Sequence, residues 1–192
     1  VIADAHFAPT DLARNCLLKE NVDSKKIFVV GNTGIDALRM TLEMPVPRSV
    51  SDLVSKIKSK ALRPILMTAH RRENRGDTIE NWFKALREFI DQHSDLALIY
   101  PMHPNNTGRE AAEKYLASSD RVFLMNAIHY GETCHFLKEC AFVVTDSGGI
   151  QEEASTLGMP VVVCRKTTER SEAVDAGVAK LAGTNTANVL ET

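Results

Sequence analysis

The stretch Thr145–Val163, TDSGGIQEEASTLGMPVVV, decides how the chain is read. An apolar run, AFVV (141–144), leads into it, and a second apolar run leaves it after Gly158-Met159-Pro160. Between them a helix opens on Ser147-Gly148-Gly149 and carries an adjacent pair of carboxylates, Glu152 and Glu153. Strand, helix and strand at this spacing make one unit of a parallel sheet, because parallel neighbours need a long crossover.

Working outward, the same unit recurs. Apolar runs at 27–30, 64–69, 96–100, 122–125, 141–145 and 160–164 read as strands. Amphipathic segments near 77–92, 107–118, 130–139 and 149–157 read as helices. Asp77, with Glu80 three residues on, reads as a helix cap, and Ile79, Phe83, Leu86 and Ile90 follow at helical spacing. Trp82, Phe83 and Phe89 are therefore assigned to core. The strands are apolar throughout, as in a sheet covered on both faces. The fold class is α/β: a Rossmann-like doubly wound parallel sheet.

Composition sets limits. With 192 residues, 44% hydrophobic and 25% charged, the chain can bury a sizeable core. A formal charge of -2 gives no global field for nucleic acid, and no apolar run reaches membrane-spanning length. The four cysteines, 16, 134, 140 and 164, form no C-x-x-C pair and read as reduced structural thiols of a cytoplasmic protein. No metal-ligand spacing is present, and no cofactor is called for.

EMPVPRSVS (43–51) has two prolines and no periodicity, and reads as a linker. Residues 1–47 are then the tail of a preceding domain plus that linker, and 48–192 a second domain. The chain opens in mid-pattern and closes on TANVLET, which reads as the start of a helix. Both features suggest a piece of a longer protein.

The polar residues gather where strands end. PILMTA runs into HRRENRGD, LALIYPM into HPNN, AFVVT into DSGG, and PVVVC into RKTTER. In open parallel sheets ligands sit outside the carboxyl ends of the strands. Histidines, arginines and a glycine-rich helix start there suit an anion. Ser147-Gly148-Gly149 fits a phosphate-binding helix N-terminus and equally an ordinary tight turn with a serine cap. His70 fits a phosphate contact or a loop cap. Arg170 fits a phosphate clamp or an ion pair with Glu169 or Glu172, and Glu73 pairs one of Arg71, Arg72 and Arg75. On a helix, Ile150, Ala154 and Leu157 share a face, with Glu153 at its edge and Glu152 opposite, in water. An inward carboxylate needs donors: sugar hydroxyls or a structural ion pair.

TAHRREN, GNTGIDAL, DSGGIQEEASTLGMPVVV and TTERSEAVDAGVAKLAGT together resemble the bacterial non-hydrolysing UDP-N-acetylglucosamine 2-epimerases, over nearly the whole chain. The resemblance implies the C-terminal half of a glycosyltransferase-B-like two-domain fold, with the site in the interdomain cleft. It implies interconversion of UDP-N-acetylglucosamine and UDP-N-acetylmannosamine by elimination and re-addition of UDP, and a homodimer for the full-length protein. By the same resemblance His70 contacts the diphosphate and is the catalytic residue of this half. Ser147, Gly148 and Gly149 form the phosphate turn, Glu153 binds ribose, and Arg170 is the motif arginine. The proton-transfer carboxylates belong to the absent half, so this chain alone is expected to be inactive. One departure stands out: Thr133 occupies the position of an aromatic residue under the uracil, so either Tyr130 or Phe136 substitutes or base stacking is weaker. A glycosyltransferase of the same architecture and a non-catalytic UDP-sugar-binding module are the competing readings.

Overall fold

The computed structural model describes residues 2–71, 74, 76–103 and 108–183. The expectations for Arg72, Glu73 and Arg75, and for a helix opening in 186–192, fall outside them. The chain divides into two compact units, 1–40 and 41–192, with the division in the last turn of one helix.

The first unit holds β1 (His6–Ala8), α1 (Asp11–Lys19), β2 (Ile27–Val29) and most of α2 (Thr33–Leu42). Thr10 caps α1 by accepting from the Ala13 amide. β1 and β2 pair in parallel around a small core of Ala8, Val22 and Ile27. Their other face is open: Phe7 is 69% exposed and Phe28 48%.

The second unit contains α3 (Arg48–Lys58), β3 (Arg63–Thr68), α4 (Asp77–Gln92), β4 (Leu96–Pro101) and α5 (Arg109–Leu116). It continues with β5 (Val122–Met125), α6 (Tyr130–Glu139), β6 (Val143–Thr145), α7 (Gly148–Thr156), β7 (Val161–Val163), α8 (Ser171–Asp175) and β8 (Ala179–Leu181). Its six strands run β5-β4-β3-β6-β7-β8, every pair parallel. Period-two alternation splits each strand between two cores. Ile65, Met67, Leu98, Tyr100 and Val144 join Trp82, Phe83 and Leu86 of α4 and Ala112 of α5. Leu66, Ala97, Ile99, Val143 and Val161 join Val54 of α3, Phe136 of α6 and Ala154 of α7. The sheet is thus doubly wound, as the unbroken apolar strands imply.

The strand order positions the site. From β3 the chain winds outward through β4 to β5; from β6 it winds the other way through β7 to β8. β3 and β6 are neighbours, so the crevice between their carboxyl ends is the switch point where such sheets take ligands.

Two local readings change. Residues 48–51 are the first turn of α3, not linker: Pro47 precedes the helix, and Val50, Val54 and Ile57 recur on its buried face. Prolines at a helix entrance are compatible with the missing N–H partners there. Asp77 does not cap α4. Gly76 holds that position at φ 72°, a left-handed conformation suited to glycine, and Asp77 is the first helical residue.

Candidate anion and nucleotide site at the sheet switch point

β6 ends in Thr145 and is followed by Asp146, both fully buried. The Thr145 hydroxyl lies 2.6 Å from that of Thr68 on β3 and accepts from the Ser147 amide at 2.9 Å. This pins the two strand ends together and turns the chain into α7. Asp146 gathers the loop after β3. Its carboxylate accepts from the backbone amides of His70 (3.2 Å) and Arg71 (2.9 Å) and from the side-chain amide of Asn74 (3.0 Å). It also lies 3.2 Å from His70 Nδ1. A buried carboxylate is tolerated only with such donors, and these donors fix where the loop runs. Nδ1 of His70 therefore faces Asp146, and Nε2 is on the opposite side of a ring that is 44% exposed. His103, after β4, lies beside it with ring centroids 6.4 Å apart.

Ser147 caps α7, accepting from the Ile150 amide at 3.4 Å. The other amides of this first turn lack intrahelical partners, and the helix dipole adds positive potential. A Cβ on Gly148 would meet a Glu169 carboxylate oxygen at 3.2 Å and the Arg170 guanidinium carbon at 3.5 Å. Glycine there permits the segment after β7 to close over the helix start.

The next three residues of α7 each hold a different wall. Gln151, fully buried, donates to the Ser147 carbonyl (3.1 Å) and accepts from the Thr168 hydroxyl (2.7 Å). Thr168 in turn accepts from the Arg170 amide at 3.1 Å. Glu152 accepts from Arg170 Nε at 2.7 Å. Glu153 is 8% exposed and accepts from the Tyr130 hydroxyl of α6 at 3.0 Å. The helical phase holds for Glu153, which turns inward beside Ala154. It fails for Glu152, which is half-buried against Arg170 rather than in water: the segment after β7 folds back over the face that periodicity leaves to solvent.

The electrostatics differ along the helix. Burial pushes the Glu153 carboxyl above its ordinary value of 4.5; the Tyr130 hydrogen bond opposes that shift and the neighbouring Glu152 charge adds to it. For Glu169 burial also acts upward. Its own backbone N–H, Arg165 and Arg170 outweigh burial, and the net shift is downward. Glu169 lies 2.7 Å from Arg165, 3.1 Å from Arg170 and 3.8 Å from Arg71.

The six residues singled out from sequence thus lie on three segments of the second unit. His70 is tied directly to Asp146, at the strand end before Ser147, Gly148 and Gly149. Arg170 packs over Gly148, and Glu153 faces Tyr130 farther along α7. Phe136 is fully buried in the core, which removes it as a stacking surface for a base. Tyr130 is 44% exposed and stays available; Thr133 hydrogen-bonds back to the His129 carbonyl. Asp146, Gln151 and Thr168 had no assigned part in the sequence reading. Asp146 carried a signal: a charged residue continuing an apolar strand without a break must be buried with partners. Among the described residues no group of three or more His, Cys, Asp or Glu side chains could hold a metal ion. No described helix is long and apolar enough to cross a membrane.

Known proteins share this fold. The family model described as UDP-N-acetylglucosamine 2-epimerase matches residues 1–192. The UDP-N-acetylglucosamine 2-epimerase of Bacillus subtilis is 48% identical over 190 residues, 99% of this chain and 49% of that protein. The S. aureus MnaA–UDP structure superposes with a TM-score of 0.90 at 46% identity, over 99% of this chain and 51% of that one. The Neisseria meningitidis UDP-GlcNAc 2-epimerase bound to UDP-GlcNAc does so at 0.90 and 38%, over 98% and 52%. The chain spans about half the length of the curated relatives it matches. It belongs to the UDP-N-acetylglucosamine 2-epimerase family.

Proposed function

We propose that this chain is the UDP-binding half of a non-hydrolysing UDP-N-acetylglucosamine 2-epimerase, an isomerase that interconverts UDP-N-acetylglucosamine and UDP-N-acetylmannosamine. The observation that carries the reading is the Asp146–His70 pair at the switch point, 3.2 Å apart, on the strand end that leads into the α7 N-terminus. In the reaction, the C2 proton is removed and the C1–oxygen bond to UDP breaks, leaving a glycal. The proton returns to the other face of C2 and UDP re-adds at C1. Negative charge grows on the departing phosphate. The amides of Ser147, Gly148 and Gly149, the outward nitrogen of His70 and the Arg170 guanidinium are the groups of this half that would stabilise it. Glu153 would accept from the ribose hydroxyls, with Tyr130 beside the base or sugar. The carboxylates that move the proton lie in the other half, so the isolated chain is inactive.

Residues 1–47 are read as the end of the preceding domain and its linker, and 48–192 as the nucleotide-binding domain. A parallel pair of strands with an apolar face exposed at Phe7 and Phe28 supports this, because two strands do not make an independently stable sheet. Three buried free thiols support a reducing, cytoplasmic setting.

The test is His70→Ala in the full-length protein containing this chain, with UDP-N-acetylmannosamine followed by proton NMR. Loss of a transition-state donor is expected to lower kcat by about 10²–10³ with a smaller change in KM. A pure KM effect would make His70 a ground-state binding residue, and an unchanged rate would remove it from the site.

A further inference from the structure

Arg170 is held on two sides by acids. Glu152 accepts from its Nε at 2.7 Å, and Glu169 lies 3.1 Å from its Nη1. Neither contact uses Nη2. The backbone is fixed as well, through the chain of hydrogen bonds from Ser147 to Gln151, Thr168 and the Arg170 amide. The side chains of Arg170, Glu152 and Glu169 remain 34%, 28% and 45% exposed, and ion pairs so open to water add little to stability. Two carboxylates on one arginine, at the start of a helix suited to an anion, make better sense as geometry. A guanidinium is a planar fork; fixing two of its nitrogens fixes the direction of the third.

We infer that Glu152 and Glu169 are positioning residues, which clamp Arg170 so that Nη2 points at the phosphate leaving group above the α7 N-terminus. The inference rests on the nucleotide-diphosphate reading of the site and deepens it. Arginine on a long flexible stem would otherwise sample many rotamers, and each would be paired with water or with the wrong acid. The clamp removes that search before substrate arrives, which is the condition for electrostatic stabilisation without reorganisation. It also tempers the charge. Arg165 and Arg71 sit 2.7 and 3.8 Å from Glu169, so the acid keeps three guanidinium groups together at one anion site.

The full-length protein tests this with Glu152→Ala, Glu152→Gln, Glu169→Gln, Arg170→Ala and the Glu152→Ala/Arg170→Ala double variant. The readouts are kcat, KM, UDP affinity by calorimetry, and Tm. Loss of one clamp acid should lower kcat about 10- to 100-fold, since a misplacement of an ångström can cost that much. UDP affinity should fall along with kcat, because UDP carries in full the charge that develops on the leaving phosphate, while KM and Tm should move far less. Glu152→Gln keeps an acceptor for Nε and should be milder than Glu152→Ala. In the Arg170→Ala background, Glu152→Ala should add nothing, because its effect passes through the arginine. An undiminished further loss in that background overturns the inference. So does an unchanged kcat in Glu152→Ala while Arg170→Ala is impaired; the phosphate reading then survives. If Arg170→Ala itself is neutral, the phosphate reading of Arg170 falls first and takes the clamp with it. Tighter UDP binding in Glu169→Gln overturns its half of the clamp, since that acid would be competing with the phosphate.

Discussion

The two ends of α7 are built differently: its N-terminal end, to which the proposed function gives the phosphates, and the Glu153 end, to which it gives the nucleoside. At the phosphate end every acid is satisfied: Asp146 by three N–H groups and His70, Glu152 and Glu169 by arginines. At the nucleoside end Glu153 is 8% exposed, more buried than Glu152 or Glu169, and among the described residues its carboxylate has one hydrogen-bond donor, the Tyr130 hydroxyl. The contrast separates two ways of preparing a site. The phosphate end is completed in advance, so charge developing there, as the proposed function requires, would meet fixed partners. The nucleoside end holds a carboxylate short of donors, and a ligand that brought hydroxyls would relieve it.

The first way to break the comparison is to remove the acid that organises the phosphate end. Asp146→Ala leaves two backbone amides and the Asn74 side chain without their acceptor in a buried setting. The variant should lose about 1–3 kcal/mol of stability for each donor left buried and unpaired, read by urea unfolding. Asp146→Asn keeps the shape but aims an N–H₂ at other donors, and should fall between. If both variants unfold like the parent, the phosphate end is not preassembled through this residue.

At the other end the expected loss is in binding rather than folding. Glu153→Ala in the full-length protein should weaken UDP binding by about one to two decades, the worth of a charged acceptor on a hydroxyl. A 2′-deoxy nucleotide should bind wild type less well than UDP, and the variant should discriminate less between them. Equal affinity for both nucleotides in wild type would detach Glu153 from the ribose. Glu152→Ala, by contrast, should lower turnover and UDP affinity together while leaving the preference for UDP over the 2′-deoxy nucleotide as in wild type, so calorimetry with both nucleotides separates the two neighbouring acids.

These neighbours also mark what the sequence could convey. The strands of the second unit were legible because they are unbroken apolar runs, and α4 and α6 because their apolar residues recur at helical spacing. Helical phase placed Glu153 inward. It could not place Glu152, because the residue that covers it, Arg170, comes from beyond the next strand. The same holds for Asp146: a buried acid was foreseeable at the end of an apolar run, but its donors lie more than seventy residues earlier. α3 was hidden by prolines read as linker, although its apolar spacing was present; β8 is three residues long and half exposed, with no pattern to read. Side chains that meet across the switch point are set by strand order, which local periodicity does not contain.

The smallest expected effect sharpens the comparison most. Burial raises the Glu153 carboxyl above 4.5, so the folded protein holds that proton more tightly than the unfolded chain does. The sign follows. Below 4.5 both states are protonated and the group contributes its full share of stability. As pH rises from 4.5 through the higher folded value, that share is lost, and above it the deficit stays constant. Glu153→Gln removes the ionisation while keeping an oxygen for the Tyr130 hydroxyl. Without nucleotide, the variant should melt at the same temperature as wild type in acid and about 2 °C higher near neutrality. Tyr130→Phe should do the reverse, because the lost hydroxyl was stabilising the charged form. With saturating UDP the order should invert, wild type gaining more from ligand than Glu153→Gln. An advantage for Glu153→Gln that persists below pH 4.5 would mean that packing, not a carboxylate kept short of donors for a ligand, distinguishes this end of the helix from the other.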